Sequence, residues 1–186
     1  AVASLNGRYI TAEDMGTSVK DMSLILKQTE HVSGRDPMIG GGGDPSPHTA
    51  LGVFDGIRAC LERLHNSGDY RGRHIAIQGV GHVGKHLTEL LTQAGATLTV
   101  ADVNEANVQT AVREYGAKAV GVHEILTVDC DIFAPCAVGG TINPQTVDIL
   151  RCRAVAGAAN NQIAGEKTEE RLVNRGIMYA PDFAIN

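Results

Sequence analysis

The sequence predicts a doubly wound α/β protein, with a mostly parallel sheet and helices on both faces. Three observations lead to this prediction. Strand and helix patterns alternate from residue 74 onward, a glycine-rich turn follows the first of these strands, and an acid ends the second strand. Strands joined through helices pair in parallel, with right-handed crossovers. Together with the glycine turn, this pattern is typical of a Rossmann-type sheet.

Hydrophobic periodicity places the individual elements. Apolar residues recur at helical spacing from Met15, and a later helix begins cleanly where Ser46 can be the N-cap and Pro47 the first helical residue. Helices are predicted over residues 15–28, from 47 to near 66–68, and over 84–94, 104–115, 144–150 and 168–174. Strands are predicted over residues 74–78, 97–101, 117–120, 131–134, 154–156 and 177–180. All of residues 1–186 are assigned to one domain.

Composition excludes several classes of function. The 186 residues include 43% hydrophobic and 20% charged residues, which is ordinary for a folded globular chain. The net charge is −5 and no basic stripe occurs, so we expect no nucleic-acid partner. The apolar runs are far shorter than the roughly 20 residues that span a bilayer, and no secretory signal opens the chain. We therefore expect no membrane association and a cytoplasmic location.

Four cysteines are present, and they bear on metal binding and redox state. They are Cys60, Cys130, Cys136 and Cys152. None forms a Cys-x-x-Cys pair or has a histidine at zinc-ligand spacing, so no metal site is predicted. Two disulfides are arithmetically possible, but the composition favours free thiols that are mostly buried.

A phosphate-binding loop is the sharpest local signal. The turn after the strand at 74–78 reads Gly79-Val80-Gly81-His82-Val83-Gly84. In such a turn Gly79 permits the sharp bend, Gly81 lets a pyrophosphate approach the backbone, and Gly84 allows close packing of helix and strand. The helix that follows presents free N–H groups and a positive dipole end to the anion. His82 lies inside the loop, within reach of a cofactor, whereas the other histidines are interpreted as surface or packing residues.

An acid at the end of the next strand indicates which dinucleotide binds. Asp102 lies about 20 residues beyond the glycines, where a carboxylate can accept hydrogen bonds from the adenosine ribose. A carboxylate there repels a 2′-phosphate, and no Arg or Lys follows closely, so NAD is predicted rather than NADP. The alternative is that Asp102 only caps a turn.

Several longer segments resemble one enzyme family, the glutamate/leucine/phenylalanine/valine dehydrogenases. The resemblance covers essentially the whole chain, and its segments occur in the family's order. They are residues 7–17, 44–50 (Asp-Pro-Ser-Pro-His-Thr-Ala), 79–84, 130–137 (Cys-Asp-Ile-Phe-Ala-Pro-Cys-Ala), 156–162 (Ala-Gly-Ala-Ala-Asn-Asn-Gln) and 179–183 (Tyr-Ala-Pro-Asp-Phe).

The resemblance implies an activity and a set of site residues. The family oxidatively deaminates an L-amino acid to a 2-oxo acid and ammonia, with hydride transfer to NAD. The implied catalytic residues are Asp14, as the aspartate, and Asn161, close to nicotinamide and substrate. Cofactor contacts are implied at Thr49, which helps to hold the nicotinamide amide, and at Ala137. Ala12 and Ala184 are implied to line the substrate pocket. Without the resemblance, Asp14 would be interpreted as a structural acid at a helix start.

The family also uses two lysines from a second domain, and these are not found. The five lysines lie outside the expected glycine-rich context; they are Lys20, Lys27, Lys85, Lys118 and Lys167. We therefore expect that the substrate-binding domain is absent from this chain, that residues 1–35 form an inter-domain segment carrying Asp14, and that the chain alone does not turn over. Both ends look cut, which favours a fragment of a larger, homo-oligomeric enzyme.

Two functions are weighed on these residues. The first is the cofactor half of an NAD-dependent amino-acid dehydrogenase with a leucine-like substrate, although valine, phenylalanine and tryptophan stay open. The second is a free-standing NAD-binding or redox-sensing module. Substrate-side residues favour the first function, because a bare sensor has no need of Asp14, Thr49 and Asn161.

Overall fold

A computed structural model describes residues 1–14 and 16–186, and it divides the chain into two compact units. The smaller unit comprises Ala1–Ser46, and the larger comprises Pro47–Asn186. The smaller unit contains helix α1, Val19–Leu26, and a parallel bridge between Thr11 and Val32. Among the described residues, no helix is long and apolar enough to cross a membrane.

The larger unit is built on one parallel sheet. In the described part of the chain its strands are β1 (His74–Gln78), β2 (Thr97–Ala101), β3 (Lys118–Ala119), β4 (Cys130–Pro135), β5 (Cys152–Val155) and β6 (Met178–Tyr179). Their order is β3-β2-β1-β4-β5-β6, and every pair is parallel. From β1 the chain winds outward to the outer strand β3, and from β4 it winds outward in the other direction to the outer strand β6. The predicted doubly wound fold is confirmed, with its switch point between β1 and β4.

Helices cover both faces of this sheet, as predicted. The helices beyond α1 are α2 (Ser46–His65), α3 (His82–Gln93), α4 (Glu105–Tyr115), α5 (Thr168–Asn174) and α6 (Asp182–Ile185). The central strand β1 shows how two cores arise, because successive side chains point to opposite faces. Ile75 and Ile77 pack with α2 and α3 residues in one buried cluster, whereas Ala76 packs in a second cluster that contains Leu172 of α5.

One predicted helix is wrong. Residues 144–149 form turns instead of the helix expected over 144–150. The Asn143 side-chain oxygen accepts the N–H groups of Gln145 and Thr146, and the Thr146 hydroxyl donates to the Thr141 carbonyl. Local side-chain bonds of this kind compete with the helical backbone ladder, so the segment turns instead.

Several predicted bounds also change. Helix α2 begins at Ser46, so Ser46 lies inside its first turn, and Asp44 accepts the Ser46 N–H at 2.8 Å. Helix α1 is shorter than the predicted 15–28; Met15 lies outside the described residues, and Asp21 fixes the start by accepting the Ser18 N–H. Helix α3 begins two residues earlier than predicted, which places its first residue inside the glycine loop.

All four cysteines are free, which confirms the prediction of unpaired thiols. Cys60, Cys130 and Cys152 are buried, and Cys136 is half-buried. Cys130 and Cys152 are register partners on β4 and β5, and no disulfide joins them in the structure. Burial raises the pKa of every one of these thiols, for Cys136 to about 11 and for Cys152 to about 12.

We expect the native thiols to resist alkylation. With iodoacetamide near about pH 8, reaction should be slow at all four sites because the thiolate is the nucleophile and burial disfavours it. In denaturant all four should react at the rate of a free cysteine. Mass spectrometry of timed, quenched samples checks both outcomes. Fast native labelling of Cys130 or Cys152 would contradict the buried arrangement.

Candidate functional site

The carboxyl ends of the strands bring several predicted residues to one edge of the sheet. The glycine loop follows β1, Asp102 follows β2, Ala137 follows β4, and Asn161 lies beyond β5. Because all of these strands are parallel, the loops that follow them emerge on the same side. In open parallel sheets this side, at the switch point, is where ligands bind.

Each glycine of the loop meets a different steric demand. Gly79 has φ +91°, and a Cβ there would lie 2.9 Å from the Ala137 Cβ and backbone nitrogen. At Gly84 a Cβ would lie 2.0 Å from the Gly79 carbonyl oxygen. At Gly81, by contrast, a Cβ would meet no heavy atom of the described residues within 4 Å. Two glycines are thus required by packing, while the third leaves open space.

The open space at Gly81 adjoins the amino end of α3. Gly81 is the N-cap, and its carbonyl accepts the first helical bond from the Lys85 N–H at 2.9 Å. First-turn amides have no intrahelical acceptor, and the helix dipole adds positive potential. The first helical residue, His82, is exposed, while Val83 packs on the core and Val80 is buried. The amino end of a helix beside a glycine without a side chain fits a pyrophosphate group.

Both carboxylate oxygens of Asp102 accept backbone N–H groups, one of them from the glycine loop. Its Oδ2 accepts the Val80 N–H at 2.7 Å, and its Oδ1 accepts the Asn104 N–H at 2.8 Å. Each carboxylate oxygen has further acceptor capacity. The carboxylate therefore does cap a turn, and it also ties β2 to the glycine loop. Val103, directly after it, leaves its side chain 92% exposed.

The loop after β4 abuts the glycine loop from the other side. The Cys136 N–H donates to the Gln78 carbonyl at 2.7 Å, which continues the β1–β4 pairing one residue beyond the strands. Ala137 follows and is exposed at the same edge. A Cβ built at Gly79 would lie 2.9 Å from the Ala137 Cβ and backbone nitrogen, so Ala137 lies directly beside the glycine loop.

Asn161 lies in a loop whose backbone is fixed on both sides. Its φ is +53°, in the left-handed region. Its carbonyl accepts the Gly140 N–H at 2.8 Å, and its N–H donates to Asp182 Oδ2 at 2.7 Å. The neighbouring Gln162 is fully buried and donates its side-chain amide to the Gly157 carbonyl at 2.7 Å. Asn161 itself is exposed, so its side chain is available to a ligand.

The remaining predicted residues fall on three segments. Thr49 is half-buried on α2, and Ala184 is exposed on α6. These two helices pack together, because a Cβ at Gly52 would lie 2.6 Å from the Ile185 carbonyl oxygen. Ala12 and Asp14 are exposed residues of the smaller unit, where the Thr17 hydroxyl accepts the Asp14 N–H at 2.8 Å.

The sequence assigned no role to Asp182, although it lies in one of the segments that resemble the family. Its only local signal is its place in the first turn after Pro181, where an acid is commonly structural. Its bond to Asn161 joins residues 21 positions apart and becomes visible only in the folded chain.

A parallel sheet of this strand order, with a glycine loop at its switch point, defines the Rossmann class. The family model for glutamate/leucine/phenylalanine/valine dehydrogenases matches residues 40–109 and 100–186. The chain therefore belongs to this family.

Individual relatives agree with the family match. The chain is 47% identical over 185 residues to the leucine dehydrogenase of Thermoactinomyces intermedius, covering 100% of this chain and 50% of the relative. It is 44% identical over 188 residues to the valine dehydrogenase of Streptomyces virginiae, covering 100% and 52%. The crystal structure of L-tryptophan dehydrogenase from Nostoc punctiforme superposes with a TM-score of 0.79 at 39% identity, covering 99% of this chain and 52% of that one. The chain thus spans about half the length of the curated relatives it matches.

Proposed function

We propose that this chain holds NAD for an amino-acid dehydrogenase that oxidatively deaminates an L-amino acid to the 2-oxo acid and ammonia. One observation carries the proposal. The open cradle at Gly81 adjoins the amino end of α3, at the same sheet edge as Asp102 and Asn161.

In this proposal each residue has a defined role toward the cofactor. The Gly81 cradle binds the pyrophosphate, Asp102 accepts the adenosine ribose hydroxyls, and Thr49 holds the nicotinamide amide. Asn161 lies beside the nicotinamide and the substrate. NAD, when bound, supplies the hydride acceptor, and the protein supplies binding and orientation.

Proton transfer is proposed for Asp14. A carboxylate near the reacting carbon can stabilise positive charge that develops on the substrate nitrogen and can take and return a proton.

Ala12 and Ala184 are proposed to line the substrate side-chain pocket, with a leucine-like amino acid as substrate. The lysines that fix and activate the substrate in the family have no counterpart among the five lysines of this chain. Because the chain belongs to this family, we also propose that the enzyme it forms part of is a homo-oligomer.

Titration calorimetry with NAD and, separately, NADP tests the proposal, followed by a turnover assay with leucine. We expect NAD to bind, NADP to bind much more weakly, and no turnover by this chain alone, since the catalytic lysines are missing. If NAD does not bind, the proposed role of the glycine loop is wrong. Clear turnover would mean that the general base lies within these residues.

The variant Asp102→Asn separates the two tasks of this carboxylate. Asparagine keeps one acceptor oxygen, so it can serve the Val80 N–H or the Asn104 N–H but not both. We expect NAD affinity to fall about tenfold, the loss of roughly one hydrogen bond to a charged group. The preference for NAD over NADP should shrink as well, because the charge is gone. Unchanged preference in calorimetry would argue against contact with the ribose.

A further inference from the structure

We propose that Asp182 is the positioning residue for Asn161: its carboxylate holds the left-handed backbone of Asn161 so that the Asn161 amide faces the nicotinamide end of the cofactor. This inference rests on the proposed function, because it assigns a role to the loop that would face NAD. Asp182 itself acts through Asn161 and needs no contact with the cofactor.

The Asp182 carboxylate is engaged on both oxygens. Oδ2 accepts the Asn161 N–H at 2.7 Å, and Oδ1 accepts the Tyr179 hydroxyl at 3.1 Å. Burial is the main cause that raises the pKa of Tyr179 to about 12, and the negative charge of Asp182 is the second cause. The Tyr179 hydroxyl therefore stays a donor at neutral pH. Two donors on two oxygens fix the orientation of the carboxylate plane.

The backbone that Asp182 holds is one that needs support. A left-handed φ is unfavourable for residues other than glycine, and asparagine is among the few that tolerate it. Glycine would satisfy the backbone more easily, yet it has no side chain for a ligand. An asparagine at this point therefore indicates that both the turn and the amide are used, as strained residues at functional sites often are.

The same terminal segment holds this loop at a second point. The Asn186 side-chain amide donates to the Ala158 carbonyl at 2.6 Å and to Asn160 Oδ1 at 3.0 Å. Gly139 also packs closely on this loop, because a Cβ there would lie 2.5 Å from the Asn160 carbonyl oxygen. The loop has little room to shift, and Asp182 is the side chain that bonds directly to the Asn161 backbone.

The test compares two probes on this chain, NAD and ADP-ribose. ADP-ribose contains the pyrophosphate and the adenosine but lacks the nicotinamide, so only NAD reports on Asn161. The variant Asp182→Ala should weaken NAD binding about tenfold and leave ADP-ribose affinity within about twofold. The variant Asn161→Gly, which keeps the left-handed turn but removes the amide, should do the same. Calorimetry measures both ligands.

A double variant shows whether Asp182 works through Asn161. In the Asn161→Gly background, Asp182→Ala should weaken NAD binding no further, since residues that act as one unit are not additive. Asp182→Asn should retain most of the affinity, because its oxygen can still accept the Asn161 N–H while its amide donates to Tyr179. Glu170→Ala, at an exposed acid of α5, is the matched control and should change neither affinity.

The outcomes separate the inference from the function on which it rests. Equal losses for NAD and ADP-ribose in Asp182→Ala, no loss for either, or additive losses in the double variant would overturn the positioning role. Equal wild-type affinities for the two probes would also overturn it, since the nicotinamide would then gain nothing from Asn161. Failure of the wild type to bind either probe would instead contradict the proposed function itself.

Discussion

Replacing Gly84 with alanine is expected to lower NAD affinity by at least about 100-fold and to destabilise the fold by about 1–3 kcal/mol. The new Cβ would lie 2.0 Å from the Gly79 carbonyl oxygen. That oxygen belongs to backbone rather than to a flexible side chain, and Gly79 is itself tightly packed, because a Cβ built there would lie 2.9 Å from the Ala137 Cβ. The glycine loop must therefore move, and the pyrophosphate cradle moves with it. Calorimetry with NAD and urea unfolding measure the two effects.

Gly81→Ala is the informative comparison, because the same change should have only one of the two effects. Apart from its chain neighbours, no described atom lies within 4 Å of its Cβ position, so a methyl group there meets no steric contact with the rest of the fold. The fold should tolerate the methyl group within about 1 kcal/mol, while the methyl group occupies space that the pyrophosphate needs. Gly42→Ala, at another open glycine, should affect neither property. Wild-type NAD affinity in Gly84→Ala would show that the pyrophosphate binds elsewhere.

The second large effect is expected on stability when Asp131 is removed. This residue lies near the amino ends of the strands, at the opposite end of the sheet from the glycine loop. The side chain is only 17% exposed, and it accepts His65 Nε2 at 2.8 Å and the His74 N–H at 3.0 Å. It thereby joins the end of α2 to the amino ends of β1 and β4. Asp131→Ala leaves these donors without their acceptor, which should lower the free energy of unfolding by about 2–3 kcal/mol. Urea unfolding followed by circular dichroism measures the change.

An exposed ion pair provides the control for Asp131. Asp55 pairs with Arg58 at 2.9 Å on α2, with both side chains about half exposed. Asp55→Ala should change the free energy of unfolding by no more than about 0.5 kcal/mol, since solvent screens such pairs. NAD affinity should be unaffected in both variants because neither residue lies at the carboxyl edge of the sheet. Equal destabilisation by the two variants would refute the structural role of Asp131.

The elements that the sequence predicted well are those whose signals are local. Helix α4 shows this: Asn104 accepts the Ala106 N–H at one end, and Gly116 with φ +65° closes the other. The glycine loop is local in the same way, because its spacing directly follows a buried strand. The helix wrongly predicted over 144–150 also has a local cause. The Asn143 side chain competes for the backbone N–H groups that a helix would use, and hydrophobic periodicity does not report on this competition.

Strand order, by contrast, is decided by packing between distant segments. Residue patterns predict parallel strands, but which strand neighbours which depends on how α2, α3 and α5 cover the two faces of β1. Cys130 and Cys152 become register partners only because β4 and β5 pair. Nothing in their spacing indicated that relation.

By itself the sequence determined the α/β class, the phosphate loop with its acid, and the resemblance to the amino-acid dehydrogenases, because each rests on short patterns or on segments in a fixed order. Only the tertiary structure revealed that Asp102 also supports Val80 and that Asp182 holds Asn161. Both bonds join residues more than 20 positions apart. Such contacts form where parallel strands bring their following loops to one edge, and that proximity belongs to the assembled sheet.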